Sequence, residues 1–195
     1  RMLSIVIIGP IFLFCLVKGG LIFNILCLFL FTICAYEIFK LNLIYTKLIL
    51  FLILYLFIYS FYNLRNSDDG LKIIFLLTFI TWSSDSGGYI FGKLIGGKKI
   101  KFISPNKTIS GFIGSIIFAQ FNIIYISYFK INLFDKLYIN ILFLVLSAII
   151  VIIGDLMFSY IKRLNKIKDY SNFVPGHGGI LDRLDGFIFL IIIFN

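Results

Sequence analysis

The chain has 195 residues, of which 61% are hydrophobic, and its mean hydropathy is far above that of a soluble domain. This composition excludes a soluble globular protein and predicts an all-α, polytopic bundle of transmembrane helices. The net charge of +9 then reflects membrane sidedness and attraction to anionic phosphates or lipid headgroups. Nucleic-acid binding is excluded, because no soluble domain is present to carry it.

Apolar runs of about 20 residues cross a bilayer as helices. Seven candidate spans follow one another, at residues 2–17, 21–39, 48–62, 71–90, 109–129, 137–157 and 187–195. No linker or low-complexity segment divides them, so we predict one membrane domain over residues 1–195. Because the chain begins with Arg1 and its last span is short, we expect both ends to be trimmed.

The first two spans carry residues that we interpret as structural. Cys15, Cys27 and Cys34 lie in apolar runs at spacings that match no zinc motif, so we interpret them as small hydrophobic residues. Tyr36 and Glu37, near the end of the second span, are interpreted as interfacial anchors.

The fourth span ends in a polar, glycine-rich segment. Asp85 follows a run of apolar and hydroxyl residues, and an ionisable group at membrane depth is a candidate functional residue. The alternative is that Asp85 caps a broken helix or pairs with a nearby lysine. Ser104, Lys107 and Thr108 then precede another apolar run, where a helix N-terminus is suited to binding an anion.

Asp155 lies near the end of the sixth span. If the helix continues, Asp155, Ser159 and Lys162 fall at positions i, i+4 and i+7, on one face. An isolated carboxylate in lipid costs about 2.5 to 3.5 kcal/mol on insertion scales, so Asp155 needs a metal, a cation or water.

Polar chemistry is concentrated between residues 159 and 185. This segment holds five cations, three carboxylates and the only histidine, which are Lys162, Arg163, Lys166, Lys168, Arg183, Asp169, Asp182, Asp185 and His177. Glycines around His177 allow backbone N–H groups to approach an anion, and Mg²⁺ is usually held by one or two carboxylates plus substrate phosphates. The pattern predicts a site for a polyphosphate and its metal ions. A solvated basic loop that only fixes membrane orientation is the alternative.

The pattern KR-x4-KD followed by PGHGG-I-LDR-L-D resembles the signature of the phosphatidate cytidylyltransferases, also called CDP-diacylglycerol synthases. The pattern D-x-x-x-Y-x-x-G from Asp85 and the pattern SP-x-KT-x-x-G from Ser104 are similar to a second conserved region of that family. Ser171 and Phe158 depart from the family pattern, which usually has Gly and Glu there. The similarity covers residues 80–186 well, whereas residues 1–70 are generic apolar spans.

The resemblance implies an enzyme that converts CTP and phosphatidate to CDP-diacylglycerol and pyrophosphate, with Mg²⁺ and a second cation assisting. Within this interpretation the catalytic residues are Asp155, Asp182, Lys162, Arg163 and His177, and the metal ligands are Asp155, Asp182 and Asp185. Substrate binding is expected from Ser104, Lys107, Thr108, Ser159, Lys168, Asp169, Gly178, Gly179, Arg183 and Asp85. For His177 a structural hydrogen-bonding role is the alternative.

Two other functions are kept as alternatives. A CTP-dependent lipid kinase would share an acidic and basic site at the membrane face but would transfer the γ-phosphate. A small anion or lipid transporter would place its site near the bilayer midplane between repeated halves, and no convincing internal repeat is seen. The expected partners are CTP, phosphatidate and the lipid bilayer, with a homodimer left open.

Charge placement predicts the topology, since short cytoplasmic loops are enriched in Lys and Arg. With Arg1 inside and the spans alternating, the outer side keeps only Lys18, Arg65, Lys72, Lys130 and Lys136. The inner side holds the other thirteen cations: Arg1, Lys40, Lys47, Lys93, Lys98, Lys99, Lys101, Lys107, Lys162, Arg163, Lys166, Lys168 and Arg183. This places the loops 92–108 and 158–186 on one cytoplasmic face, as expected for a bacterial inner-membrane protein with a cytoplasmic active site.

The topology is tested by single cysteines introduced at Lys98 and at Lys166 in a background that lacks the three native cysteines. We expect a membrane-impermeant thiol reagent to modify both positions from the cytoplasmic side only, because both loops carry the cation excess. Modification of the two positions from opposite sides of the membrane would rule out a shared site.

Overall fold

The computed structural model describes residues 2–98, 107–131, 133–134, 136–171 and 178–195, and the elements in this part of the chain are helices. They are α1 (Met2–Lys18), α2 (Gly20–Phe39), α3 (Ile44–Asn66), α4 (Gly70–Leu94), α5 (Ile109–Ala119), α6 (Ile123–Tyr128), α7 (Leu137–Leu164) and α8 (Leu181–Ile193), with a 3-10 turn at Gln120–Asn122. Among the described residues, four stretches are long and apolar enough to cross a membrane: α2, α3, Ile109–Tyr128 and α7. The predicted helical membrane bundle is therefore confirmed.

The helix ends differ from the predicted spans near the polar segment. α7 continues past the predicted end at residue 157 to Leu164, and α8 already begins at Leu181, so the predicted loop 158–186 is helical at both ends. Lys162 and Arg163 occupy the last turn of α7, where positive charge is favourable at the carbonyl end of the helix dipole. Lys162 in α7 and Asp182 and Asp185 in α8 are thus held on helices.

The predicted span 109–129 is interrupted instead of forming one continuous helix. The Asn122 side chain donates to the Ala119 carbonyl at 2.9 Å and to Ser83 Oγ at 2.9 Å. A side chain that bonds the backbone in this way competes with the regular helical ladder, and the 3-10 turn at Gln120–Asn122 lies at this position.

α1 and α2 meet at two glycines with positive φ, Gly19 and Gly20. Arg65, in the last turn of α3, donates to the Leu16 carbonyl at 2.7 Å and to the Val17 carbonyl at 3.3 Å. These carbonyls lie at the end of α1, where no residue of the same helix can satisfy them. Arg65 therefore fixes the chain reversal between the first two helices.

The core of the bundle is aromatic and aliphatic. Phe57 and Phe61 of α3 are fully buried and lie edge-on to Phe187 of α8, with ring centroids 6.2 Å apart in both pairs. α8 also packs closely against α7. The helix that carries Asp182 and Asp185 is thereby anchored in the centre of the bundle.

α4 and α5 form the closest helix pair of the described fold. Glycines line the contact: a Cβ built at Gly87 would lie 2.4 Å from the Gly114 carbonyl oxygen and 2.6 Å from Phe118 Cβ. Small residues let membrane helices approach in this way. The contact holds the start of α5 against the half of α4 that carries Asp85.

Gly87→Ala is expected to destabilise the fold, because the new methyl group meets backbone and a rigid ring. Overpacking of this kind costs about 1 to 3 kcal/mol, measurable as a lower unfolding temperature in detergent. Gly9→Ala is the matched control, since a Cβ at Gly9 meets nothing within 4 Å. Equal unfolding temperatures for the two variants would contradict the packing described.

Candidate active site

A cavity of about 160 Å³ opens between α4, the start of α5 and α7. Its polar wall is formed by Asp85, Lys107, Thr108 and Asp155, where the Lys107 ammonium forms an ion pair with Asp155. Asp155 also accepts a hydrogen bond from Ser159 Oγ at 3.5 Å, as the i, i+4 spacing predicts. Three segments that are distant in sequence therefore bring charged groups to one cavity.

The remaining lining of the cavity is apolar or small. Tyr89, Phe112 and Ile152 form its apolar part, and Tyr89 is 68% exposed. Gly88 and Gly111 also line the cavity. Because glycine has no side chain, backbone atoms form part of the cavity wall. A polar cavity with an apolar margin suits a ligand that combines phosphate with hydrocarbon.

Thr108 is the N-cap of α5. Its hydroxyl accepts a hydrogen bond from the Gly111 N–H at 3.1 Å and contacts Ser110 Oγ at 2.9 Å, while Ser110 Oγ donates to the Gly96 carbonyl. Capping of this kind stabilises a helix by about 1 kcal/mol. It also fixes the start of α5, and with it Lys107, beside Asp155.

The second charged pair joins α7 to α8. Lys162 Nζ lies 2.6 Å from Asp182 Oδ1, with side chains that are 12% and 5% exposed. Asp182 Oδ2 accepts from the backbone N–H of Tyr170 at 3.0 Å and from that of Gly179 at 2.9 Å. A buried charge needs such compensation, and here the lysine and two N–H groups supply it.

Tyr170 packs beside the Lys162–Asp182 pair. Its side chain is buried, its hydroxyl donates to the Phe158 carbonyl at 3.3 Å, and Lys162 Nζ lies 5.7 Å from its ring centroid. Burial, with the negative charges of Asp182, Asp185 and Glu37, raises the pKa of the Tyr170 phenol. The phenol therefore stays protonated and supports the segment as a hydrogen-bond donor.

Glu37 is not an interfacial anchor, contrary to the sequence interpretation. Its side chain is fully buried and accepts from Ser171 Oγ at 2.6 Å and from the backbone N–H groups of Ile180 and Leu181, each at 2.9 Å. Tyr36 beside it is 55% exposed. The buried contacts of Glu37 were missed because only tertiary structure brings α2 to the start of α8.

Asn165 is a second residue that the sequence did not single out. It is buried directly after α7, and its Oδ1 accepts from the backbone N–H groups of Asn42 and Leu43, both at 3.0 Å. Its Nδ2 donates to Thr46 Oγ1 at 3.1 Å. Asn165 thus ties the end of α7 to the connection between α2 and α3.

Asp185 lies in the first two turns of α8 and links the two charged pairs electrostatically. Its carboxylate interacts electrostatically with Asp155, Asp85 and Lys162. Its Oδ1 accepts a hydrogen bond from the Gly186 N–H at 2.8 Å. Asp85 is in turn within reach of Arg183. The two pairs and these acids form one polar cluster, which we call the carboxylate–lysine cluster (Asp85, Lys107, Asp155, Lys162, Asp182 and Asp185).

The donor chemistry of the cluster suits a hard divalent cation, since Asp85, Asp155 and Asp185 offer oxygen ligands. In the described part of the chain, no three acidic, His or Cys side chains are grouped closely enough to hold a metal ion without rearrangement. Asp182 is engaged through both carboxylate oxygens, and so is Asp155, which is bound by Lys107 through Oδ2 and by Ser159 through Oδ1. Magnesium ligation by Asp155, Asp182 and Asp185 stays a prediction.

The other predicted residues lie around the cluster. Arg163 is exposed and donates to the Ile167 carbonyl at 3.4 Å, and Lys168 and Asp169 are also exposed. Gly178 has a φ of 86°, and a Cβ there would lie 3.0 Å from Asp182 Oδ2, so glycine permits the backbone to pass close to that carboxylate. Ser104 and His177 lie outside the described residues.

Comparison with known proteins relates the chain to cytidylyltransferases. Residues 42–195 match the Cytidylyltransferase family. The chain is 40% identical over 137 residues to the phosphatidate cytidylyltransferase of Staphylococcus haemolyticus (strain JCSC1435), covering 69% of this chain and 51% of the relative. It is 41% identical over 137 residues to the phosphatidate cytidylyltransferase of Bacillus subtilis (strain 168), covering 67% and 49%.

The chain spans about half the length of the curated relatives it matches. The matched residues include α3 to α8 and therefore every member of the carboxylate–lysine cluster. On this evidence the chain belongs to the Cytidylyltransferase family.

Proposed function

We propose that the carboxylate–lysine cluster catalyses transfer of the cytidylyl group of CTP to phosphatidate, giving CDP-diacylglycerol and pyrophosphate. The observation that carries the proposal is a cavity with an apolar margin that the Lys107–Asp155 pair lines, with the Lys162–Asp182 pair about two turns further along α7. The names of the relatives in Staphylococcus haemolyticus and Bacillus subtilis support the substrate assignment.

The reaction needs little acid or base catalysis. An oxygen of the phosphatidate phosphate attacks the α-phosphorus of CTP, the bond from that phosphorus to the bridging oxygen breaks, and pyrophosphate leaves. The nucleophile is already anionic, so the main barrier is repulsion between two anions. Groups that neutralise phosphate charge and hold the reactants in line supply the catalysis.

The lysines of the cluster are suited to this task. Lys107 and Lys162 are each held in place by a carboxylate, so their ammonium groups are ordered before a substrate arrives. Asp155 and Asp185, with Asp182 or Asp85 as a further oxygen ligand, would hold Mg²⁺, which supplies charge neutralisation on the phosphates when it is bound. Lys107 would then turn from Asp155 towards a substrate phosphate.

The lipid substrate fits the surroundings of the cavity. Tyr89, Phe112 and Ile152 give it an apolar margin, and α5 exposes Ile109, Ile113 and Ile117 beside it. Phosphatidate can keep its acyl chains in the bilayer while its phosphate reaches Lys107. We place the site at the cytoplasmic face of a bacterial inner membrane, because the flanking loops carry the excess of cations.

The proposal is tested with purified protein in lipid, phosphatidate, Mg²⁺ and CTP labelled at either the α- or the γ-phosphate. We expect the α-label to enter lipid, EDTA to abolish the transfer and Mg²⁺ to restore it. Asp155→Asn should lower the rate about 10²-fold or more, because it removes a charge from the reacting cavity. Asp182→Asn should do the same, because Asn cannot replace the ion pair with Lys162.

Asp69→Asn is the matched control, since Asp69 pairs with Lys72 on an exposed surface and takes no part in the cluster. It should retain wild-type activity. Entry of the γ-label into lipid would identify a lipid kinase instead. If the wild-type protein transfers no α-label, or if Asp155→Asn and Asp182→Asn both remain fully active, the proposal is wrong.

A further inference from the structure

We propose that Glu37 of α2 is a positioning residue that holds Asp182 and Lys162 in the geometry required for reaction. This inference rests on the proposed function and adds a residue that lies outside the family match, which begins at residue 42. Glu37 is fully buried, and within the described part of the chain its two carboxylate oxygens accept from one hydroxyl and two backbone N–H groups.

The partners of Glu37 and those of Asp182 are neighbours in sequence. The N–H of Tyr170 donates to Asp182, and the hydroxyl of the next residue, Ser171, donates to Glu37. The N–H of Gly179 donates to Asp182, and the N–H of Ile180 donates to Glu37. The carboxylates of Glu37 and Asp182 therefore bind the same two segments of the chain, residues 170–171 and 179–181.

Glu37 also accepts from the Leu181 N–H, at the first residue of α8. The N–H groups in the first turn of a helix have no partner within the helix, and a carboxylate there is further favoured by the helix dipole. Asp182 follows directly. Glu37 thus fixes the position at which α8 begins and the direction in which the Asp182 side chain projects from the helix.

Gly179 makes this contact sterically feasible. A Cβ at Gly179 would lie 2.6 Å and 2.7 Å from the two Glu37 carboxylate oxygens, and the three nearest atoms to it all belong to Glu37. Side chains larger than hydrogen at this position would displace the carboxylate. Glu37 and Gly179 therefore form a matched pair from two distant parts of the chain.

The effect on reaction follows from this arrangement. Asp182 orients Lys162 through their ion pair. The backbone N–H groups of Tyr170 and Gly179 in turn orient Asp182. Glu37 holds the adjoining backbone through the Ile180 N–H. Loss of the contact between Glu37 and this backbone shifts the Lys162–Asp182 pair without removing any group that contacts substrate. A displacement of about 1 Å in a catalytic site can cost about 10²-fold in rate.

The first test is Glu37→Gln in the α-label transfer assay, with activity expressed per folded protein recovered from size exclusion. Gln keeps the size of the side chain but places an NH₂ group against an N–H donor. We expect kcat to fall about tenfold or more while the KM for CTP stays near the wild-type value. Tyr36→Phe, a change at the exposed neighbour in the same helix, should leave kcat unchanged.

The second test is a rescue. Gly179→Ala should lower kcat, and adding Glu37→Asp should restore part of it, because the shorter side chain makes room for the methyl group. A purely structural defect at Gly179 would worsen when Glu37 is shortened. Wild-type kcat in folded Glu37→Gln, or a double variant slower than Gly179→Ala alone, would overturn the proposal.

A third measurement separates this inference from the proposed function. Trypsin cleavage at the exposed Lys166 and Lys168 should be faster in Glu37→Gln than in the wild type, because the adjoining backbone has lost its anchor. If the wild type shows no cytidylyl transfer but Glu37→Gln is cleaved faster, the proposed function fails and the anchoring role stands. Equal cleavage rates would overturn the anchoring role itself.

Discussion

The ion pair between Lys162 and Asp182 joins α7 to α8 where both helices leave the apolar bundle, and the other polar contacts of the site are arranged around it. Neither charge is tolerable there alone, since a buried ion without a partner costs several kcal/mol. Asp182 is further satisfied by the backbone N–H groups of Tyr170 and Gly179. A weaker form of this constraint applies to Asp155 of α7 and Lys107, which precedes the N-cap of α5, because their side chains are 29% and 28% exposed.

These pairs also account for the order of the site before substrate binds. α8 is anchored by Phe187 against Phe57 and Phe61, α5 is held to α4 by glycine contacts, and α7 is tied to α3 through Asn165. Each helix that contributes a charged group is thus fixed by apolar or hydrogen-bonded contacts elsewhere. A site built on such elements can neutralise phosphate charge with little movement of the backbone.

The helical bundle could be predicted from the sequence because long apolar runs are a local signal, and clustered charges marked the segments 92–108 and 158–186, which contribute Lys107, Lys162 and Asp182 to the cluster. The sequence also placed Asp155 and Ser159 on one helical face, which the structure bears out. It did not predict that α7 would extend to Leu164, since polar residues after a span are usually taken as the start of a loop. Glu37 and Asn165 were missed for a different reason: their partners lie more than a hundred positions away, and only tertiary folding reveals them.

If the carboxylate–lysine cluster catalyses cytidylyl transfer, Lys107, Asp155, Lys162 and Asp182 surround the reacting phosphates of one bound nucleotide. The most direct measurement is a structure of the protein in lipid with Mg²⁺ and a non-reactive CTP analogue. We expect the triphosphate to bind in the cavity between α4, α5 and α7, within hydrogen-bonding distance of Lys107 or Lys162. A nucleotide bound elsewhere, with both lysine–carboxylate pairs undisturbed, would contradict it.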